Sequence, residues 1–228
     1  MTRTALGSRT AVDVALYSDV SDLRHRLCRL IEDTSRLASW FDELRDDTVA
    51  VASRSYWHPN GFAKIVLDPA QRVRLHVWPE SNAPRLGESN PHSHRWDFAS
   101  TVLTGEGLHT VEYAESSGGM SYHRYHYGAD PNDRARLVAD APVELTAVRS
   151  PFIRRGQIYT CDTSVIHTVR PAGDALTATL VLQGPQKTST TAVYLMPGTS
   201  EDQPNGVLTP DDFLALSGAV LERMGVAP

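Results

Sequence analysis

Between Val49 and Leu195 the chain keeps a two-residue rhythm of apolar and polar side chains, cut into short runs by Gly, Pro, Asn and Asp. The runs fall at 62 to 67, 72 to 78, 96 to 104, 107 to 114, 121 to 127, 143 to 150, 156 to 161, 165 to 169, 175 to 183 and 191 to 196. A period of two belongs to strands, whose successive side chains point to opposite faces. Many short strands separated by turn residues predict a closed barrel or a sandwich. Helical spacing is confined to the ends. Leu23, Leu27, Leu30 and Ile31, then Leu37, Trp40, Phe41 and Leu44, recur at helical intervals over 21 to 45, with a break near Asp33-Thr34-Ser35. A last helix starts at Thr209-Pro210-Asp211-Asp212, where an N-cap residue, a Pro at the first helical position and two acids meet the helix dipole. It runs through Leu214, Leu216, Val220 and Leu221 toward Met224. The expected organisation is a helical segment over 1–48 packing on a barrel over 49–197, then a linker and C-terminal helix over 198–228.

Composition excludes several roles. With 228 residues, 41% of them hydrophobic, the chain can bury a core without disulfides. A net charge of −5 and the lack of a long basic run argue against sequence-independent nucleic-acid binding, which depends on neutralising phosphates. No apolar stretch approaches the roughly 20 residues that span a bilayer, and Met1 to Thr10 lacks the apolar core of a signal peptide. The expected location is therefore cytoplasmic, without membrane partners. Of the two cysteines, Cys161 lies near His167 in sequence, but its reading is a small buried side chain rather than a ligand.

The chemistry sits in Asn90-Pro91-His92-Ser93-His94-Arg95-Trp96-Asp97-Phe98. On an extended strand, residues i and i+2 share a face roughly 6.5 to 7 Å apart, a gap that two imidazoles can close onto one ion. The run 98 to 104, the turn Gly105-Glu106-Gly107 and the run from Leu108 to Tyr113 read as one hairpin, and Gly156 to Val169 reads as a second that carries His167.

These motifs resemble the cupin superfamily. Its first motif runs Gly, five residues, His-x-His, three or four residues, Glu, six residues, Gly, and His92, His94 and Gly105 fall in register with it. Its second motif places a Gly eleven positions before a His, as Gly156 and His167 are placed. Phe98 stands where that Glu would be, Leu86 holds the leading Gly position with Gly87 one place late, and Asp162 and Ser164 replace the second motif's Pro and Gly. The resemblance covers roughly residues 56 to 197 and implies a mainly β, double-stranded β-helix barrel flanked by N-terminal helices and a C-terminal helix. It is sharpest toward the thiol (cysteine) dioxygenases, which use three histidines without the Glu. The similar features are Tyr56-Trp57-His58-Pro59-Asn60, the strand Leu75-His76-Val77-Trp78-Pro79-Glu80 and the segment from Ile158 to His167. Where those enzymes carry an Arg for the substrate carboxylate this chain has His58, and their Ser-His-Tyr set is replaced by Ala178-Thr179-Leu180-Val181-Leu182-Gln183. Such barrels often pair as homodimers, which the resemblance carries over as an expectation.

The ligand set is read as His92, His94 and His167. Neutral imidazoles bind Fe(II), Zn(II), Ni(II), Cu(II) or Mn(II), and three of them leave positions for water, substrate or O₂. Each ligand ring needs an acceptor for its other nitrogen, and Asp97, Glu112 and Asp162 are candidates. Asp97 follows His94 by three, so ligation by it would require a bulge. His109, expected on a strand paired with the ligand strand, and Tyr159 are further catalytic or supporting candidates. Tyr56, His58, Arg74, His76 and Trp96 are candidates for substrate binding, with Arg74 suited to an anionic group if its face turns inward. The run Tyr122 to Tyr127 reads as surface. The implied activity is a non-haem Fe(II) oxygenase of a small, amino-acid-like or anionic metabolite. The alternatives are a redox-neutral isomerase, cyclase or lyase using Zn, Ni or Mn, and a ligand-binding cupin without chemistry.

Overall fold

The computed structural model describes residues 19–32, 34–80, 90–128, 136–199 and 205–226. Helix α1 (Val20–Ile31) starts where the Asp19 side chain accepts from the backbone N–H groups of Ser21 and Asp22, and α2 (Thr34–Arg45) follows the expected break. Helix α3 (Thr48–Ser53) overturns the expectation that strand periodicity begins at Val49. The Asp47 carboxylate caps this turn by accepting from the Ala50 N–H, and Val51 and Ala52 go into the core. The strands are β1 (Tyr56–His58), β2 (Phe62–Asp68), β3 (Val73–Trp78), β4 (Trp96–Thr104), β5 (Gly107–Gly128), β6 (Arg136–Arg149) and β7 (Phe152–Arg154). They continue with β8 (Ile158–Cys161), β9 (Ile166–Pro171), β10 (Thr177–Gln186), β11 (Thr190–Leu195) and β12 (Gly206–Val207). Helix α4 (Pro210–Met224) opens where its start signal predicted, on a capping box between Thr209 and Asp212, and closes on left-handed Gly225.

The strands form two antiparallel sheets. One has the order β12-β1-β2-β3-β10-β4-β8; in the other β5 pairs with β11, β6, β7 and β9. Successive strands alternate between the two sheets, β4 to β5, β8 to β9 and β10 to β11, which is the double-stranded β-helix arrangement expected from the sequence. Neither expected hairpin forms. β4 lies in the first sheet and β5 in the second, and β8 and β9 are divided in the same way. In a β-helix of this kind a short turn carries the chain from one sheet to the other instead of folding it back on its neighbour. Gly105 serves the first crossing: its φ is +87°, and a Cβ there would come within 2.3 Å of Thr177 Oγ1. The expected strands at 107 to 114 and 121 to 127 are one long β5, broken by a bulge in which Glu115 and Met120 both pair with Leu145.

The largest core lies outside the barrel. Ala63, Ile65 and Leu67 of β2, Val73, Leu75 and Val77 of β3, and Leu180 and Leu182 of β10 face Leu23, Leu27, Phe41, Phe213 and Leu221 of the helices. Of the twelve largest fully buried side chains, all but Leu108 lie in this layer. Each contributes about 1.5–3 kcal/mol of burial, so the helix-covered face carries most of the apolar stabilisation. Alternation then turns Phe62, Lys64, Arg74, His76, Gln183, Phe98 and Ser100 to the opposite, inner face. The barrel interior is thereby free to be polar. No helix among the described residues is long and apolar enough to cross a membrane.

Candidate metal centre

His92 and His94 precede β4 instead of lying within it. The segment Pro91–Ser93 runs across the second sheet: His92 and His167 exchange backbone hydrogen bonds of 3.0 and 2.9 Å, Ser93 N–H donates to Ala192 O, and Tyr194 N–H donates to Pro91 O. The chain bends at Arg95 and enters the first sheet as β4. His92 and His167 are thus direct cross-strand partners, and His94 shares their side because it is two residues on. Two distant segments are in this way fixed against each other by backbone bonds.

The three rings converge, with centroids 4.9 to 5.1 Å apart. His94 Nε2 and His167 Nε2 are 2.9 Å apart, and one donor atom from each of the three lies within 4.8 Å of the others. An ion with bonds of about 2.1 Å holds adjacent nitrogens about 3 Å apart at right angles, so the donor set fits a divalent metal. His92 Nδ1 is 2.8 Å from the Asn90 carbonyl, which places the proton on Nδ1 and leaves Nε2 free for an ion. Burial lowers the pKa of all three rings, that of His167 to about 3, so they are neutral at physiological pH and compete for metal without losing a proton.

Phe98, and no carboxylate among the described residues, lies against the histidine rings. Its ring meets His94 edge-on at 4.9 Å and lies 6.1 Å from His167. Tyr159 packs behind it at 5.9 Å, and burial pushes the phenol up to about 12, so it remains protonated. The carboxylates weighed as orienting groups are all engaged elsewhere. Asp97 binds Lys187 and accepts from the Thr163 N–H, Glu112 pairs with Arg149, and Asp162 accepts from Ser164. The Asn90 carbonyl fills that role for His92, and its only sequence signal is its position two residues ahead of the ligand. Asp97→Asn is expected to leave metal content unchanged while lowering stability by about 1–3 kcal/mol, the cost of weakening a buried, hydrogen-bonded charge. Metal analysis and urea titration check this, and loss of metal with unchanged stability would restore the fourth-ligand reading.

His109 does not enter the cavity. Its strand pairs with β9 instead of with β4, and its exposed ring packs at a tilt against Phe152, 4.9 Å between centroids. The substrate-binding candidates do come together. Tyr56 Oη is 2.8 Å from Lys64 Nζ, His58 stacks on Phe62 at 4.5 Å, His76 lies 4.8 Å from the same ring, and the Arg74 guanidinium sits 5.2 Å from the Trp96 centroid. Lys64 was missed because a Lys on a half-buried strand ordinarily reads as solvated. Cys161 is buried against Phe98 and Val181, and burial pushes its thiol up, out of reach of ligation as thiolate. Tyr122 and Tyr125 are buried, contrary to the surface reading of their run: Tyr122 packs with Leu145 and Tyr194, and Tyr125, three residues on, is buried on the other face of β5. Leu86 and Gly87 lie outside the described residues.

Fold and site together define a mainly β, double-stranded β-helix barrel with a three-histidine centre fit for a divalent ion. No protein-family model matches the chain, and no curated protein matches its sequence. Similar solved structures include a hydroxypropylphosphonic acid epoxidase from S. wedmorenis, at 11% identity over 58% of this chain and 56% of that one, with a TM-score of 0.33. An oxalate oxidase with the substrate analogue glycolate matches at 15% identity over 59% and 55%, with a TM-score of 0.33. A hydroquinone 1,2-dioxygenase with Cd²⁺ and 4-hydroxybenzonitrile matches at 15% identity over 61% and 71%, with a TM-score of 0.33. The chain spans little more than half the length of the first two. At these values the likenesses carry no argument about activity.

Proposed function

We propose that the chain is a non-haem Fe(II) oxygenase of a small, amino-acid-like or anionic metabolite, with the ion held by His92, His94 and His167. The observation that carries the reading is the convergence of three neutral imidazoles with Phe98, instead of a carboxylate, beside them. When bound, Fe(II) supplies the electrons and open positions that O₂ chemistry requires. The chain's own residues do the rest. His92 is oriented by Asn90, Phe98 keeps water from one side of the centre, and Tyr159 holds a protonated phenol behind it. Tyr56, His58, Arg74, His76 and Trp96 form the wall against which a substrate is positioned.

A second reading, a redox-neutral metal enzyme, is favoured by one observation. Burial lowers Lys64 to about 7, which would let its amine accept a proton near neutrality. Anaerobic reconstitution followed by an O₂ electrode separates the two. The oxygenase is expected to take up about one Fe(II) per chain and to consume O₂ only when an anionic metabolite is added. Zinc or nickel in the isolated protein with no uptake would transfer the assignment to the redox-neutral enzyme, and failure to bind any divalent ion would leave a ligand-binding barrel.

A further inference from the structure

We propose that Lys64 and Arg74 build an oxyanion-binding subsite inside the barrel, with Tyr56 and Trp96 as its walls, which takes the carboxylate or phosphate-type group of a small molecule. The inference deepens the reading above, since it names the substrate class of the same cavity. Its basis is a set of half-buried cations that no carboxylate among the described residues pairs with.

The strand register brings the two residues together. Lys64 pairs with His76 and Val66 with Arg74 across β2 and β3, while the intervening Ala63, Ile65, Val73 and Leu75 go to the helix-side core. Both cationic side chains therefore project into the barrel. Among the described residues no carboxylate pairs with either. Lys64 has only the Tyr56 hydroxyl, at 2.8 Å, and Arg74 rests on the Trp96 ring with its Nε buried and unpartnered. Arg95 approaches the same ring at 5.0 Å, which adds a third positive charge. His76 Nε2 is a further buried nitrogen without a partner.

A buried charge without a partner is among the costliest features a fold can keep. Elsewhere the chain pairs its buried charge, as Asp97 with Lys187 shows. An anion bound from outside would supply the counter-charge that the described residues lack. A guanidinium offers two parallel N–H donors to the two oxygens of a carboxylate or phosphate, and an ammonium adds a point charge. Tyr56 accepts from Lys64 and keeps its own O–H to donate, since its phenol is held protonated by burial. Trp96, a wall of the subsite, packs against Phe98, whose ring meets His94 at 4.9 Å, which places the subsite beside the three-histidine centre.

The test uses the full chain stripped of metal with a chelator, with inorganic phosphate and succinate as probes in calorimetric titrations and thermal melts. The expected result is one saturable site for at least one of the two anions, with a rise in Tm as it fills. The tighter probe tells a phosphate-type from a carboxylate ligand. Lys64→Met and Arg74→Gln should each weaken that binding at least tenfold and abolish the rise in Tm. Each variant alone should melt no lower than the wild type, because a buried unpaired charge has been removed; this separates loss of the subsite from loss of the fold. Binding of neither anion, or unchanged affinity in both variants, overturns the proposal. Because the titration is done without metal, a failure of the metal assignment leaves its outcome intact, and the reverse also holds.

Discussion

His92→Ala and His167→Ala are each expected to reduce bound metal from about one ion per chain to a small fraction of that, with far-UV circular dichroism unchanged. Losing a group that merely orients a ligand costs about ten- to a hundredfold in affinity, so losing one of three donors should cost more than a hundredfold. The fold should survive because the imidazoles contribute nothing to the helix-covered layer of Phe41, Phe213, Leu75 and Leu180. The backbone bonds between His92 and His167 also remain in place, since an alanine keeps both its N–H and its C=O. Metal analysis of the two variants beside the wild type checks this. Full occupancy in both would remove the centre from further consideration.

The metal-free protein is expected to unfold steeply in mild acid. His58, His76, His92, His94 and His167 all have their pKa lowered by burial, His58 and His167 to about 3, whereas an unfolded histidine titrates at 6.5. The sign follows directly. Below pH 6.5 the unfolded chain takes up protons that the folded chain refuses, so stability is lost as pH falls and is fully present above that value. Each histidine held far below its ordinary value costs about 1.4 kcal/mol per pH unit, and the four lowered furthest, His58, His76, His94 and His167, set a limiting slope of about 5.5 kcal/mol per unit. Against a typical domain stability of about 5–15 kcal/mol, that slope places the acid midpoint near pH 5. Saturation with a divalent ion should move the midpoint to lower pH, because the folded state then gains binding free energy that the unfolded chain lacks. Lys64 acts in the same direction at higher pH. Its folded value is about 7 against 10.5 unfolded, so stability should rise as pH climbs from 7 toward 10. Circular dichroism across the acid range checks the main effect, and a midpoint below pH 4 with uptake of only one or two protons would show that the rings are not held neutral.

The positions of these groups were only partly legible in advance. The apolar alternation of Ala63, Ile65 and Leu67, or of Val73, Leu75 and Val77, marks strands whatever lies around them, because one face of each must be buried. The helix start at Thr209 is equally local, since its cap closes within three residues. The His-x-His spacing is local in the same sense. The hairpins failed for a reason that alternation cannot express. A Gly turn between two strand-like runs has the same local chemistry whether the second run pairs with the first or crosses to the facing sheet. That choice depends on β10 taking the place beside β4, and on β6, β7, β9 and β11 taking the places beside β5. His109 was misplaced as a direct consequence.

The sequence by itself determined that the chain would be mostly short strands bracketed by helices, that two histidines would share a face, and that α4 would begin at its capping box. These are properties of neighbours within a few residues, and short-range sterics and burial decide them. Only the tertiary structure decided that His167 would stand opposite His92, that Phe98 would lie against His94, that Asp97 would be taken by Lys187, and that Lys64 and Arg74 would turn into the barrel. Each of these joins residues far apart in the chain, or depends on which face of a sheet the helices cover. Burial of the apolar face under α1 to α4 assigns the polar face to the interior, and that assignment is made by packing across the whole domain.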